Sequence, residues 1–302
     1  MAGQSEHLNI SKSSIFAAID IAEDELGAKI FNRTPTKGVE TTNAGKRFLA
    51  IGHRLKEAEN DFTQAVNELA DRPPATLRIG CGPAFGGLFL INVIKIFMTQ
   101  HPHVHIVLYE GWTDELEKWL IEGAVDVVIA YDLGFDQAEE VLPICRLPPH
   151  AVIGNDNPLA EQAYVTLEEL SEQPYILLEP QRVANFHMAM FDIFAKRPRI
   201  VLRSRSSETV RSAVASGLGC SILHMKPFGD RKTDRQPFKR IPIIDDLPFA
   251  TLVIADMYGA KKPKYLLSLI DTVRQIFLDA GPAEFSVTAP ERMGEVLNVA
   301  PK

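Results

Sequence analysis

The chain has 302 residues, of which 46% are hydrophobic, and its formal net charge is −7. This length suits two or three domains with apolar cores, and the acidic balance gives no support to polyanion binding over the whole surface. The longest apolar stretch, residues 88–98, contains Asn92 and Lys95 and is too short to cross a bilayer, so we expect a cytoplasmic protein without a membrane partner.

The first predicted element is a helix within residues 10–33. Ser11 is a suitable N-cap, apolar residues repeat at helical spacing from Ile15 to Leu26, and Gly27 is placed to end the helix. In the stretch that follows, residues 29–47, basic residues outnumber acidic ones. The basic residues are Lys29, Arg33, Lys37, Lys46 and Arg47. This local basic patch is suited to phosphate groups although the whole chain is acidic.

Residues 44–72 are predicted to form one long helix. Its apolar residues are spaced alternately by three and four positions, and they are Phe48, Ile51, Leu55, Ala58, Phe62, Ala65 and Leu69. This spacing indicates a single narrow stripe, and pairing with a second copy is the simplest way to bury it. The alternative is an amphipathic helix that packs on its own domain. Pro73 and Pro74 then end the helix and form a linker.

Strand and helix patterns alternate after the linker. Strands are predicted at 77–80, 105–111, 125–132, 150–154, 175–179, 199–204, 220–224 and 249–256. Helices are predicted at 86–99, 113–122, 185–195, 207–216 and 263–278. This alternation indicates the α/β class with two parallel, doubly wound sheets, and a ligand cleft at the carboxyl ends of their strands. The tail after Gly281 has no periodicity, so we expect it to be mobile.

Several separate motifs occur in an order that is typical of one family. The first group is Ser11, Ile15, Ile19, Glu23, Leu26, Gly27, Phe31, Arg33, Gly38, Thr42, Ala44 and Gly45. LRIG, HPHV with YEG, GAVDVVIA, NPLA and SSETVRSAVASGLG follow in the second part of the chain. With these motifs the chain resembles the LysR-type transcriptional regulators from Gln4 to Phe277.

The resemblance implies a domain organisation. It implies an N-terminal winged helix-turn-helix in residues 1–43, a linker and dimerisation helix in 44–72, and two doubly wound α/β effector subdomains of the periplasmic-binding-protein type. The first subdomain comprises 75–148 with 250–280, the second comprises 149–249, and 281–302 form the tail. The family begins with a further helix before the segment matched by QSEHLNIS. The sequence starts after that point, so we expect either an upstream start or an incomplete winged domain.

The resemblance also implies a function and its partners. It implies a ligand-responsive regulator of transcription that is not an enzyme and needs no cofactor. The implied partners are operator DNA, a small-molecule effector, further copies in a homodimer or homotetramer, and RNA polymerase. An enzyme is the less favoured alternative, because paired carboxylates, a nucleophile with a base, or a metal cluster cannot be placed in the cleft.

Contacts to DNA are expected from the reading helix and the wing. The expected residues are Ser11, Lys12, Ser13, Ser14, Phe16, Ala17, Lys29, Arg33, Lys37 and Thr42. The reading face carries Phe16, Ala17, Ala18 and Ile21, which cannot make bidentate contacts to guanine or adenine but can touch thymine methyl groups. The alternative is a diverged member that binds its ligand and has lost or weakened sequence-specific DNA binding.

The resemblance places an effector site between the two subdomains. The expected residues are Gly82, Pro83, Ala84, Phe85, Thr113, Tyr131, Asn185, Phe186, Ser206 and Ser207. Amides of the 82–85 loop would hold an anionic group, although Ala84 stands where the family often has a hydroxyl. ILLEPQRVANF and YLLSLIDTVRQIF resemble the aromatic-catabolism branch, which favours an aromatic or unsaturated carboxylate as the effector. The alternative for the aromatic residues is that they only pack the cores.

Other candidate sites have simpler explanations. His101, His103 and His105 coincide with the family's helix-to-strand turn, so a metal site is not favoured. Cys220 has no evident base and is expected to be a buried thiol. The second subdomain lacks the closely spaced cysteines of the peroxide-sensing branch, and SGLG lacks the full dinucleotide-binding motif.

Overall fold

The computed structural model describes residues 12–34, 38–70, 74, 76–179, 181–193, 196–229 and 237–298. The chain divides into two compact units, Met1–Asp71 and Arg72–Lys302, and each is described by itself. Among the helices in the described ranges, none has the length and apolar character that crossing a membrane requires.

The first unit contains two helices and a hairpin. Its elements are helix α1 Lys12–Leu26, strands β1 Phe31–Thr34 and β2 Gly38–Thr41, and helix α2 Asn43–Ala70. The two strands pair antiparallel. Gly27 ends α1 with a φ of +64°, a left-handed conformation that glycine adopts without a steric penalty. The start of α2 packs so closely on the turn before β1 that a Cβ at Gly45 would lie 2.1 Å from the carbonyl oxygen of Ile30.

The second unit contains the remaining regular elements. Its strands are β3 Thr76–Cys81, β4 His105–Glu110, β5 Val127–Tyr131, β6 Glu140–Leu147, β7 His150–Gly154, β8 Pro174–Leu178, β9 Arg199–Ser204, β10 Ser221–Leu223, β11 Phe238–Pro242 and β12 Ala250–Asp256. Its α-helices are α3 Ile91–Gln100, α4 Thr113–Ile121, α5 Leu167–Ser171, α6 Gln181–Asp192, α7 Ser207–Ala215, α8 Lys264–Ala280 and α9 Pro282–Phe285. A π-helical turn, Gly86–Leu90, leads into α3.

The first sheet has the strand order β4–β3–β5–β12–β6. Strands β3, β4 and β5 run parallel, whereas β12 pairs antiparallel with both β5 and β6. The sheet is therefore mixed, and the expectation of a purely parallel sheet is wrong. Strand β12 returns from the far end of the chain to pair with β5 and β6, so it lies in the same sheet as the strands of residues 76–147.

The second sheet region is also mixed. Strands β10, β7 and β11 form an antiparallel group, and β8 pairs parallel with β9. Backbone hydrogen bonds at Cys220, to Pro174 and Ile176, connect the two groups, each with an N···O distance of 2.9 Å. The expectation of a purely parallel sheet is therefore wrong here as well.

The segment after Gly281 packs on the first core. Phe285 and Val296 are fully buried, and the ring of Phe285 lies 4.7 Å from that of Phe277 and 5.5 Å from that of Phe228, measured between centroids. The structure thus corrects the expectation of a mobile tail for residues 282–298, because two apolar anchors outweigh the absence of a periodic pattern.

Candidate functional site

A cavity of about 80 Å³ lies between the two sheet regions of the second unit. Segments that follow the carboxyl ends of β3, β4, β5 and β8 contribute to its wall, together with α6, α7 and the segment after β10. Aromatic and polar side chains line it, among them Phe85, Thr113, Tyr131, Phe186, His187, Ser207, Arg211 and His224. The position agrees with the rule that α/β folds hold ligands at the carboxyl ends of their strands.

Most of the expected effector residues lie together at this cavity. Its wall includes Gly82, Pro83, Ala84, Phe85, Thr113, Tyr131, Phe186 and Ser207. Asn185 is exposed and does not line it. Ser206 does not line it either, and instead caps α7, since its hydroxyl oxygen accepts a hydrogen bond from the amide of Thr209 at 3.2 Å.

The loop after β3 shapes the cavity with its backbone. The amide of Phe85 donates to the carbonyl of Gly82 at 3.0 Å, and the amide of Gly82 donates to Ile129 at 3.2 Å. These two amides are therefore already engaged, contrary to the expectation that the loop would offer them to an anion. Ala84 has a φ of +126°, a conformation that is strained for a residue with a Cβ and that is often found at ligand sites.

Aromatic rings form much of the wall. Phe85 packs edge-on against Tyr131 with centroids 5.0 Å apart, and Phe85 is only 4% exposed. The ring of His224 lies 5.9 Å from Tyr131 and 5.6 Å from Phe186. Phe85 and Tyr131 pack against the core of the first sheet and also line the cavity. Core packing and ligand contact, the two roles considered for these residues, are therefore compatible.

The polar groups of the wall include hydroxyl groups that can donate hydrogen bonds and one cation. Thr113 is buried at the start of α4, Ser207 is half-buried, and the side chain of Arg211 is 20% exposed. The Nε of Arg211 is 3.1 Å from a carboxylate oxygen of Glu208, which is itself largely exposed. No aspartate or glutamate is among the described residues that line the cavity. Such a wall favours an anionic ligand over a cationic one.

Two histidines in the wall were missed from the sequence. His187 on α6 and His224 after β10 are stacked with centroids 5.3 Å apart, and their Nε2 atoms are 3.2 Å apart. The Nδ1 of His224 is 3.2 Å from the carbonyl oxygen of Leu147. Burial lowers the pKa of His187 to about 3 and that of His224 to about 4. His187 and His224 are 37 positions apart in the sequence, so no motif spacing indicates that they form a pair.

An arginine joins the two sides of the cavity. Arg182 on α6 pairs through its Nε with Asp114 at 2.6 Å and through its Nη2 with Glu117 at 3.5 Å, both on α4. Its Nη1 donates to the carbonyls of Leu133 (3.0 Å) and Gly134. Arg182 therefore connects helix α4, which carries Thr113, to helix α6, which carries His187.

The expected DNA-contact residues lie in the first unit. Ser11 and Lys37 lie outside the described residues, as do the side chains of Lys12, Ser13 and Arg33. Ser14 and Ala17 are exposed, and Phe16 is half-buried.

Two of these residues already have roles inside the unit. The hydroxyl of Thr42 donates to the carbonyl of Lys29 at 2.6 Å and accepts from the amide of Gly45 at 2.9 Å, so it caps α2. The ammonium of Lys29 is 2.6 Å from the carboxylate of Glu23, although 70% of the Lys29 side chain is exposed. Thr42 is therefore a poor candidate for a DNA contact, while Lys29 can still face a phosphate.

The cysteines are structural. Cys81, Cys145 and Cys220 are buried, and burial raises the pKa of Cys220 to about 12. The prediction that Cys220 is a buried thiol is confirmed. His101 also has a partner within the fold, since its Nε2 lies within hydrogen-bonding distance, 3.0 Å, of the hydroxyl of Ser268.

Comparison with known proteins gives a consistent result. The family model for the LysR substrate binding domain matches residues 70–276. The chain is 27% identical over 243 residues to the uncharacterized HTH-type transcriptional regulator YnfL of Escherichia coli, covering 79% of this chain and 80% of that protein. It is 27% identical over 266 residues to the HTH-type transcriptional regulator CysB of Burkholderia cenocepacia, covering 87% and 84% respectively.

A solved structure agrees with the α/β architecture. HinK, a LysR family transcriptional regulator from Pseudomonas aeruginosa, matches with a TM-score of 0.62 and 26% identity, covering 91% of this chain and 92% of HinK. These relatives are regulators of transcription and not enzymes. Since the family model covers well over half of the chain, the protein belongs to the LysR family of transcriptional regulators.

Proposed function

We propose that this LysR-type regulator responds to a small aromatic or unsaturated carboxylate bound in the cavity between its two effector subdomains. The observation that carries the proposal is the composition of the wall, in which Arg211, Thr113 and Ser207 occur with no acidic side chain among the described lining residues. A guanidinium and hydroxyl groups match the charge and the acceptor oxygens of a carboxylate.

The rest of the wall favours a flat, unsaturated body on the ligand. Phe85, Tyr131 and Phe186 present aromatic rings, and aromatic rings bind other π systems through their faces and edges. An aromatic or unsaturated carboxylate matches both the aromatic rings and the polar groups of the wall.

We propose further that the first unit binds DNA as a dimer. Helix α1 would be the reading helix, the β1–β2 hairpin the wing, and α2 the dimerisation helix. Cations at Lys29, Arg33, Lys46 and Arg47 would provide phosphate contacts. The half-buried Phe16 and exposed Ala17 can contact thymine methyl groups but cannot make bidentate base contacts, so base discrimination through them is expected to be small.

Calorimetry with benzoate, the simplest aromatic carboxylate, tests the effector assignment. Arg211→Met is expected to weaken benzoate binding about tenfold to a hundredfold, because it removes a charge-assisted hydrogen bond. Arg203→Met is the matched control, since Arg203 lies in the same subdomain, pairs with Glu179 at 2.8 Å and does not line the cavity. Both variants should retain the parent's affinity for the DNA upstream of its gene. Equal benzoate affinity in parent and Arg211→Met would contradict the assignment.

A further inference from the structure

We propose that the effector site takes up one proton when it binds its carboxylate ligand, and that this proton lies in the hydrogen bond between the carboxylate and the pair formed by His187 and His224. This inference rests on the proposed function of the cavity as a carboxylate site.

The hydrogen bonds of the pair determine its tautomers. The carbonyl oxygen of Leu147 can only accept, so the Nδ1 of His224, at 3.2 Å, carries a hydrogen and donates it. A neutral imidazole has one N–H, and the Nε2 of His224 is therefore an acceptor. The Nε2 of His187 lies 3.2 Å from that acceptor and must donate to it. The chain of donors thus runs from His187 through His224 to Leu147.

One acceptor atom, at the His187 end of this series of hydrogen bonds, has no donor in the described part of the chain. When His187 donates through Nε2, its Nδ1 carries a lone pair. That atom is buried and has no hydrogen-bond partner among the described residues, while His187 is 1% exposed and lines the cavity. A buried acceptor without a partner is destabilising, so a donor brought into the cavity would be bound favourably at this atom.

A bare carboxylate is the wrong partner for this atom. It would place two acceptors against each other, and one added proton removes the conflict. Either the ligand binds as the acid and donates its O–H to Nδ1, or Nδ1 is protonated and the resulting imidazolium donates to the carboxylate. In both arrangements the complex holds one proton more than the free carboxylate and the neutral protein, and solvent supplies it.

The surroundings keep the pair neutral until an anion arrives. Burial lowers the pKa of both histidines, most strongly that of His187. Among the described residues, the titratable and charged groups near the pair are Tyr131 on β5, His150 on β7 and Arg211 on α7. Lys226 after β10 and Arg240 on β11 interact with His150, so this neighbourhood is neutral or cationic. A carboxylate bound within a few ångströms, inside a cavity of low dielectric constant, reverses this balance and raises the pKa of the pair.

Calorimetric titration of the full-length protein with benzoate measures the proton directly. Titrations between pH 6 and 7, in two buffers with different ionisation enthalpies, should show uptake of about one proton per benzoate bound. The dissociation constant should rise about tenfold for each unit of pH while the complex keeps that proton. Benzamide has a similar shape and no carboxylate, so any binding of benzamide should proceed without proton uptake.

Two variants locate the proton. His187→Gln keeps an N–H donor for His224 but removes the titratable Nδ1, so we expect no proton uptake and benzoate binding at pH 6 weakened about tenfold. His101→Gln is the control, because His101 is a partly buried histidine of the same unit that does not line the cavity. Its proton uptake should equal that of the parent. Thermal unfolding verifies that each variant is folded.

The possible results separate this inference from the proposed function. Benzoate binding to the parent without proton uptake, or unchanged uptake in His187→Gln, overturns the inference and leaves the carboxylate site in place. Absence of benzoate binding between pH 5 and 8 overturns both. If His187→Gln does not fold, the imidazole proton shifts of the parent, measured by NMR with saturating benzoate, decide the matter. Histidine shifts that remain those of neutral rings, with no protonated ligand, overturn the inference.

Discussion

The carboxylate of Glu23 lies at the turn between α1 and β1. It accepts hydrogen bonds from the amides of Ile30 at 2.8 Å and Phe31 at 3.0 Å, and it pairs with Lys29. These bonds, with that from Lys29 the largest, lower the pKa of Glu23 to about 2. Glu23 was recognised only as a recurring residue of the family, because sequence shows a carboxylate but not the amides that it will meet.

Glu23 should make the turn sensitive to acid. A carboxyl whose pKa falls on folding stabilises the native state above its unfolded pKa, near 4.5, and this contribution is lost as the pH drops toward about 2. Hydrogen exchange of the Ile30 and Phe31 amides in the full-length protein should therefore lose protection across this range. Glu23→Gln keeps an acceptor oxygen but does not titrate, so its protection should not change over this range. Glu25→Gln, at an exposed position of the same helix, should behave as the parent. Full protection at pH 2 in the parent would contradict this role.

Helix α4 and helix α6 form the two sides of the cavity, and Arg182 holds them together. Its four partners include Glu117, whose side chain is 11% exposed, and two backbone carbonyls. Buried acceptors that lose their donor are costly. Arg182 therefore positions Thr113 and His187 relative to each other without lining the cavity itself.

Removing this connection should affect stability and binding together. Arg182→Met is expected to lower the free energy of unfolding by about 1–3 kcal/mol, measured in urea, and to weaken benzoate binding. Arg205→Met is the matched control, because Arg205 makes a single 3.3 Å contact to Glu115 on the same helix and both side chains are exposed. Its cost should be below about 1 kcal/mol. If Arg182→Met and Arg205→Met changed the free energy of unfolding and benzoate binding equally, the contacts of Arg182 would have no particular role in joining α4 to α6.

The elements that the sequence did not predict share a physical cause. Strand β6 contains Pro143 and a register shift against β12, and β11 is a short FKRIP segment with two cations. Pro143 interrupts the apolar run of β6, and β11 has neither an apolar run nor strict alternation, so neither segment has the usual pattern of a strand. Pairing with neighbouring strands holds both in place. The strands that were predicted, such as LRIG and VDVVIAYD, are apolar runs. Strand direction, and hence the mixed sheets, depends on connections that periodicity does not encode.

The site shows the same division between local and distant information. Residues next to a family motif, such as Phe85 and Thr113, were predicted and line the cavity. His187 and His224 were not, because only the fold brings them within hydrogen-bonding distance.

At the scale of the whole molecule, α2 presents an apolar stripe that its own unit does not cover. Leu55 is 72% exposed, Phe62 71% and Ile51 56%, and they repeat at the alternating spacing of a two-stranded seam. Exposed side chains of this size in one row are typical of an interaction surface. This agrees with the prediction that two copies pair through α2, and it disfavours the alternative in which the helix packs on its own domain.

A charge placed in the middle of this stripe should separate the copies. Leu55→Asp would bury a carboxylate without a partner at the centre of the paired helices, which costs several kcal/mol. We expect the variant to sediment as a smaller species than the parent and to bind operator DNA more weakly, because one reading helix then acts without the other. Asn60→Asp adds the same charge on the same helix outside the stripe, so its mass and DNA affinity should match the parent. An unchanged oligomer for Leu55→Asp would place the interface elsewhere and assign the apolar row of α2 to another partner.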